Sequence, residues 1–254
     1  MVRSLLCCYW THCHLNIILT IMDETLAQPY IDGKRILIDK ELDWTSFDVV
    51  NKLRISLRKE LGVKKIKVGH AGTLDPLATG LVIICTGKAT KTIEQLTGLD
   101  KEYVANITLG ATTPSYDLET DIDEKYPIEH VTKEILEESL AHFLGETEQI
   151  PPIYSAKQID GKRAYNMARQ GEKVKMKVNL VNIHEIEILN FNLPVITLRI
   201  HCGKGTYIRS LAHDIGKSLK SGAHLSALRR TRIGDFDVND AVKISDFIKK
   251  LKPL

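Results

Sequence analysis

The sequence predicts an α+β fold: a mixed, mainly antiparallel central sheet flanked by helices. Three observations predict it. Short strand-like runs alternate with helical stretches along the body of the chain, and two of the later runs read as a hairpin. The 254 residues are 43% hydrophobic, enough apolar material for a substantial core.

Arg35 to Asp39 (RILID) reads as a short strand. Thr45 and Ser46 then cap a helix whose apolar positions Phe47, Val50, Leu53, Ile55 and Leu57 approximate helical spacing, and Gly62 ends it. Lys64 to Val68 is expected to be a strand entering the glycine-rich stretch Gly69 to Gly80 (GHAGTLDPLATG), and Leu81 to Cys85 the strand leaving it. A short helix near Thr90–Leu96 precedes a strand with alternation at Tyr103, Ala105, Ile107 and Leu109. Residues 113–130 form a polar, acidic connection. From Tyr116 to Ser139 nine acidic residues stand against Lys125 and Lys133, a run expected to be a solvated face turned away from any nucleic acid.

His130 to Phe143 reads as an amphipathic helix. Gln149 to Val178 changes character, with seven Lys/Arg from Ile150 onward against Asp160 and Glu172, interleaved with Tyr154 and Tyr165. That mixture suits a surface that neutralises phosphates and stacks on bases, and equally a solvated loop excursion. Val181 to Ile188 and Val195 to Cys202 pair as antiparallel strands around Asn190–Pro194. A second glycine-rich turn (HCGKGTYIRS) introduces a helix from Tyr207 to Leu219. Leu225 to Ile233 (LSALRRTRI) is basic without an acid, and a last helix spans roughly Ile244 to Leu251.

Composition narrows the function classes. The net charge of +3 is too small to signal nucleic-acid binding by itself. No apolar run approaches the ~20 residues that span a membrane, so no membrane partner is expected. Cys85 and Cys202 read as reduced core thiols and hence a reducing, cytoplasmic compartment. Cys7, Cys8 and Cys13 crowd the first residues without the spaced pairs of a zinc site. Met22 begins an ordinary polar start, so residues 1–21 are expected to be a non-native or disordered extension, and residues 22–254 a single domain with an insertion at about 152–178. No long apolar stripe suggests more than a monomer.

Thr86-Gly87-Lys88-Ala89 is no P-loop, because position 82 is Val and Ala89 stands where the metal-binding hydroxyl belongs. The nine histidines show no H-E-x-x-H or paired spacing, so no metal site is expected. No G-x-S-x-G supports a serine hydrolase. What remains is Asp75, a lone carboxylate that Pro76 pushes towards extended geometry on a glycine-bounded loop. Such a group is either a turn cap or a nucleophile or base. As the latter it must stay ionised, for which Arg209 in GKGTYIRS is the natural partner.

At this point the residues resemble a family. GHAGTLDPLATGLVIICTGKATK is similar to motif II of the TruB-type pseudouridine synthases. KEYVANITLGATTPSYDLETD, QIPPIYSAKQIDGKRAYNMARQG and KGTYIRSLAHDIG resemble the next three blocks in the same order, covering roughly residues 35–235. The resemblance implies the pseudouridine synthase fold and isomerisation of uridine 55 in the T loop of tRNA, the T-arm stem-loop being the partner. It implies no metal, nucleotide or redox cofactor. Asp75 takes the place of the catalytic aspartate, attacking C1′ or abstracting a ribose proton. Arg209 holds it ionised, and Tyr103 stacks on the uracil and takes the C5 proton. Tyr207 lines the pocket, His70 contacts the RNA, and Lys40, Gly72 and Leu74 complete the substrate-binding set. The basic segment corresponds to the family's RNA-gripping insertion.

The chain departs from the pattern in two places. The first motif, usually K-P-x-G-x-T-S, here runs Lys40-Glu41-Leu42-Asp43-Trp44-Thr45-Ser46 and loses both Pro and Gly, which could alter that loop. The chain stops at Leu254, so the expectation is a fold without a C-terminal PUA domain and with salt-sensitive tRNA affinity. Two alternatives stay open: action on another RNA within a guide-RNA complex, and an RNA-folding chaperone.

Overall fold

The structure is a computed structural model that describes residues 27–155, 158–159, 162–163, 167 and 176–251. Expectations for residues 1–21, and for most of the segment 152–178, lie outside the described residues.

Among the described residues, helical residues 27–32 are followed in chain order by β1 Arg35–Lys40, α1 Ser46–Glu60, β2 Val68–Ala71, β3 Ala78–Thr86, α2 Ile93–Thr97, β4 Lys101–Leu109, β5 Ala111–Thr112, β6 Glu124–Lys125, α3 Lys133–Ala141, β7 Gly145–Gln149, β8 Gln158–Ile159, β9 Lys162–Arg163, β10 Asn179–Asn192, β11 Val195–Cys202, α4 Ile208–Ser218, β12 Ala223–Ile233, β13 Phe236–Asp237 and α5 Ile244–Leu251. The main sheet has the order β1-β3-β12-β4-β11-β10-β7, with β2 added to β3 and β13 to β12. Every pairing is antiparallel except β12 with β3. The mixed, mainly antiparallel sheet expected from the sequence is therefore present.

Burial explains which runs read clearly. In β4 every second residue is buried, so the strand alternates cleanly. In β3 the run Leu81–Thr86 is buried throughout, because the strand is covered on both faces. Val82 and Ile84 join the main core, which also holds Val49, Val50 and Leu53 of α1, Leu136 of α3 and Ile208, Leu211 and Ile215 of α4. Leu81, Ile83 and Cys85 join a smaller cluster on the opposite face with Leu96, Ile233 and Val238. Cys85 and Cys202 are free and buried, as the sequence suggested. Among the described residues no helix is long and apolar enough to cross a membrane.

Several expectations need correction. Phe47 and Ile55 of α1 are 61% and 55% exposed, since Val49 and Val50 with Leu53 and Leu57 already fill the inward stripe. Lys64–Val68 is not a strand; β2 starts at Val68, so His70 and Ala71 lie on a strand rather than in the loop. The basic run Leu225–Ile233, to which the sequence assigned no element, is a central strand paired to β3 and β4.

Candidate active site

The loop of residues 72–77, between β2 and β3, is tied down from several directions. The Ser46 hydroxyl receives a hydrogen bond from the Leu74 N–H (2.8 Å) and donates to the Leu74 carbonyl (3.1 Å). Ser46 is available because Thr45 and Asp48 form a capping box that starts α1 at that point. The Lys40 ammonium donates to the carbonyls of Trp44 (2.6 Å), Glu41 (3.0 Å) and Pro76 (3.3 Å). The Asp43 N–H donates to Pro76 as well. Asp43 sits at φ +63°, the left-handed region that favours glycine and that Asp tolerates at some cost. The motif's lost glycine is thus replaced by a residue that still makes the turn.

The underside of the loop rests on Arg230. This side chain, 1% exposed, donates from Nε to the Leu81 carbonyl (2.7 Å) and from its terminal nitrogens to the Thr73 and Gly72 carbonyls (both 3.3 Å). A buried guanidinium is tolerated because these carbonyls satisfy its donors. Gly80, at φ +104°, lets β12 come this close: a Cβ there would meet the Arg230 carbonyl oxygen at 2.3 Å.

Asp75 is presented from this scaffold into a cleft of about 820 Å³. Its side chain is 39% exposed, and its Oδ2 lies 2.9 Å from Nε of Arg209, which is 6% exposed. The Nε–H does not point along that line, so the contact is an ion pair rather than an aligned hydrogen bond. The same guanidinium lies 3.5 Å from Oδ2 of Asp117, a carboxylate 7% exposed, and donates to the Ser115 carbonyl at 3.3 Å. One buried cation therefore bridges two carboxylates, the outer one facing the cleft.

The position of Arg209 follows from the turn before α4. Gln149 accepts from the Tyr207 N–H (2.8 Å) and donates to its carbonyl (3.1 Å), and Ser210 donates to the Ile150 carbonyl (2.7 Å). The position of Asp117 follows from Tyr116, which turns the chain at φ +64° while its ring stacks on His213 at 4.0 Å. Sequence reasoning placed Asp117 in a solvated acidic face; it is instead 5% exposed and paired with Arg209.

The other expected site residues divide. Gly72, Leu74, Asp75, Tyr103, Tyr207 and Arg209 line the cleft together, with the exposed Lys204 beside them and the buried Lys101 and Arg230 behind, their donors taken by backbone carbonyls. Tyr103 is 8% exposed on β4, and burial pushes its hydroxyl pKa up. Burial likewise raises that of Tyr207, with the nearby Asp75 charge adding to it. His70 lies on β2, half-buried, and burial lowers its pKa. Lys40 does not reach the cleft: it is 1% exposed, its donors are spent on loop carbonyls, and burial lowers its pKa to about 8.

A mixed sheet that sets one carboxylate against a buried arginine at the edge of a cleft is an arrangement suited to chemistry at a single acidic group. Among solved structures, the chain is similar to one titled "Crystal Structure of a Cbf5-Nop10-Gar1 Complex" (TM-score 0.67, 29% identity, 88% of this chain and 56% of that one). It is also similar to one titled "Structure of H/ACA RNP bound to a substrate RNA containing 2'-deoxyuridine" (TM-score 0.62, 28% identity, 87% and 53%). The chain spans about half the length of these two. Residues 58–208 match the TruB family pseudouridylate synthase N-terminal domain and residues 209–252 the tRNA pseudouridylate synthase B C-terminal domain. A protein named tRNA pseudouridine synthase B from Phocaeicola vulgatus is 58% identical over 216 residues, covering 85% of this chain and 92% of that one. One of the same name from Flavobacterium johnsoniae is 53% identical over 226 residues, 89% and 99%. The chain belongs to the TruB family of pseudouridylate synthases. The two matched regions share one sheet, since β12 of the second pairs with β3 and β4 of the first.

Proposed function

We propose that the protein isomerises uridine to pseudouridine at position 55, in the T loop of tRNA, with Asp75 as the catalytic carboxylate. The observation that carries this reading is the Asp75–Arg209 ion pair at the cleft, supported by relatives of 53–58% identity named tRNA pseudouridine synthase B. The target nucleotide leaves its stack and enters the cleft, where the exposed Lys204 offers positive charge to the backbone. Asp75 then attacks C1′ or removes a ribose proton, and either route breaks the N-glycosidic bond. The freed uracil turns and rejoins the sugar through C5, whose proton leaves.

Arg209 aims Asp75 into the cleft through their ion pair. Tyr103 presents its ring to the uracil. Its raised pKa keeps the hydroxyl protonated, which favours stacking over service as a standing base for the C5 proton. Tyr207, Gly72 and Leu74 bound the pocket, and His70 meets the opened RNA as a neutral imidazole. Lys40, Ser46 and Arg230 act as positioning residues through the loop carbonyls they hold. We read residues 22–254 as one catalytic domain, cytoplasmic and monomeric, with residues 152–178 as its RNA-gripping insertion.

The test is incubation with an unmodified tRNA transcript, followed by mapping of pseudouridine by position. Product confined to the T loop is expected; product elsewhere overturns the assignment and favours another RNA. Asp75→Asn should abolish product while leaving tRNA binding within a few-fold. Turnover at the wild-type rate would remove Asp75 from its role.

A further inference from the structure

Away from the cleft floor, Asp100, His184 and His201 come together on the outer face of the sheet. Their ligand-capable atoms all lie within 4.8 Å of one another. His184 Nε2 is 3.3 Å from Asp100 Oδ2, and the two imidazole rings stand 4.8 Å apart, tilted by 48°.

The fold builds this arrangement in two ways. β10 and β11 form a hairpin whose register shifts between Ile183 and Glu185, so His184 is the extra residue of a bulge. His184 follows the buried Ile183 onto the exposed face of the hairpin, where its ring meets that of His201. Asp100 enters from the turn before β4, held by a hydrogen bond from the Gly234 N–H to its carbonyl. Three separate segments thus converge, which is why the spacing of histidines along the chain gave no sign of it.

We propose that Asp100, His184 and His201 bind a divalent transition-metal ion of the zinc class. Two imidazoles and one carboxylate are the donor set that zinc takes in sites that leave a fourth position to water. Ligand atoms about 2.0–2.2 Å from a tetrahedral ion stand about 3.4 Å apart, which the His184–Asp100 separation already meets. Rotation of His201 by a fraction of its present separation closes the set. All three side chains are at least partly open to solvent, so the ion can enter and a water can complete its shell. The ion would tie the start of β4, the bulge of β10 and the end of β11 together, next to Lys101 and Gly203, which line the cleft.

The test is titration of the full chain with Co²⁺ and Zn²⁺. Co²⁺ at this site should give visible d–d absorption without sulfur-to-metal charge transfer, whereas the thiols Cys7, Cys8 and Cys13 would give charge-transfer bands. The wild-type chain should bind one equivalent with the nitrogen/oxygen signature and show a Tm that rises with metal concentration. The His184→Ala/His201→Ala double variant should lose that equivalent and the Tm response. Asp100→Asn, which keeps both imidazoles, should bind more weakly. Circular dichroism without metal should match the wild type in each case. A double variant that takes up the same nitrogen/oxygen-type equivalent, or a wild-type chain with only thiolate signatures, would overturn the proposal.

Discussion

Replacing Arg209 by Met, alone and together with Asp117→Asn, separates what the buried cation does for the fold from what it does for the reaction. The single variant strands Asp117, whose side chain is 7% exposed, with a charge that no guanidinium offsets. Removing one partner of a buried pair costs about 3–5 kcal/mol. Against a total stability of about 5–15 kcal/mol the variant stays folded with a thin margin. Asp75 contributes little to that loss, because at 39% exposure water replaces much of what Arg209 supplied. Adding Asp117→Asn removes the stranded charge, and most of the lost stability should return, since replacing both members of a buried pair is near neutral. Turnover should not return. Asp75 still lacks its partner, and a misplacement of about 1 Å costs roughly 100-fold in rate. Urea unfolding followed by circular dichroism reads the first quantity. Single-turnover release of tritium from C5-labelled uridine in the transcript reads the second. If turnover recovers in step with stability, Arg209 serves only the fold and its assigned action on Asp75 is wrong.

Two further variants probe the frame around the site. Gly80→Ala should cost at least about 2 kcal/mol and most of the activity, because its Cβ would meet the Arg230 backbone at a backbone φ of +104°; an unchanged urea midpoint would contradict the close approach of β3 and β12. Asp214→Asn should raise Tm at pH 7.5 and not near pH 4. Burial raises the Asp214 pKa from 3.8 to about 6, so the folded chain holds that proton more tightly and loses stability as pH climbs through this window. A difference between variant and wild type that stays flat with pH would show that Asp214 does not titrate this way.

Legibility in the sequence tracked how local each structural cause is. The alternation of β4 and the last helix could be read directly, because one face of each meets the core. The glycine loop was legible as a presenter of Asp75, yet its holders were not. Lys40 belongs to a motif associated with substrate and instead spends its ammonium on Trp44, Glu41 and Pro76 carbonyls. Arg230 hid inside a basic run, since a buried arginine breaks the apolar alternation that would have announced β12. Asp117 hid among acidic neighbours, and only the folded chain brings Arg209 to it. The Asp43 turn was the one local signal within reach: a motif position that wants glycine can be filled by Asp at positive φ.

The parallel pairing of β3 with β12 has a consequence for how the protein is born. Arg230 reaches back across 157 residues to hold the Thr73 carbonyl, and Arg209 arrives nearly as late. Chains emerge N-terminus first, so Asp75 leaves the ribosome long before the residues that aim it. Throughout most of translation the nascent chain carries its acidic group unaimed, amid a crowd of tRNAs. On the role proposed for Asp75, placing this late strand is also the step that completes the site, and a truncated product released before β12 should be inert in the tritium-release assay.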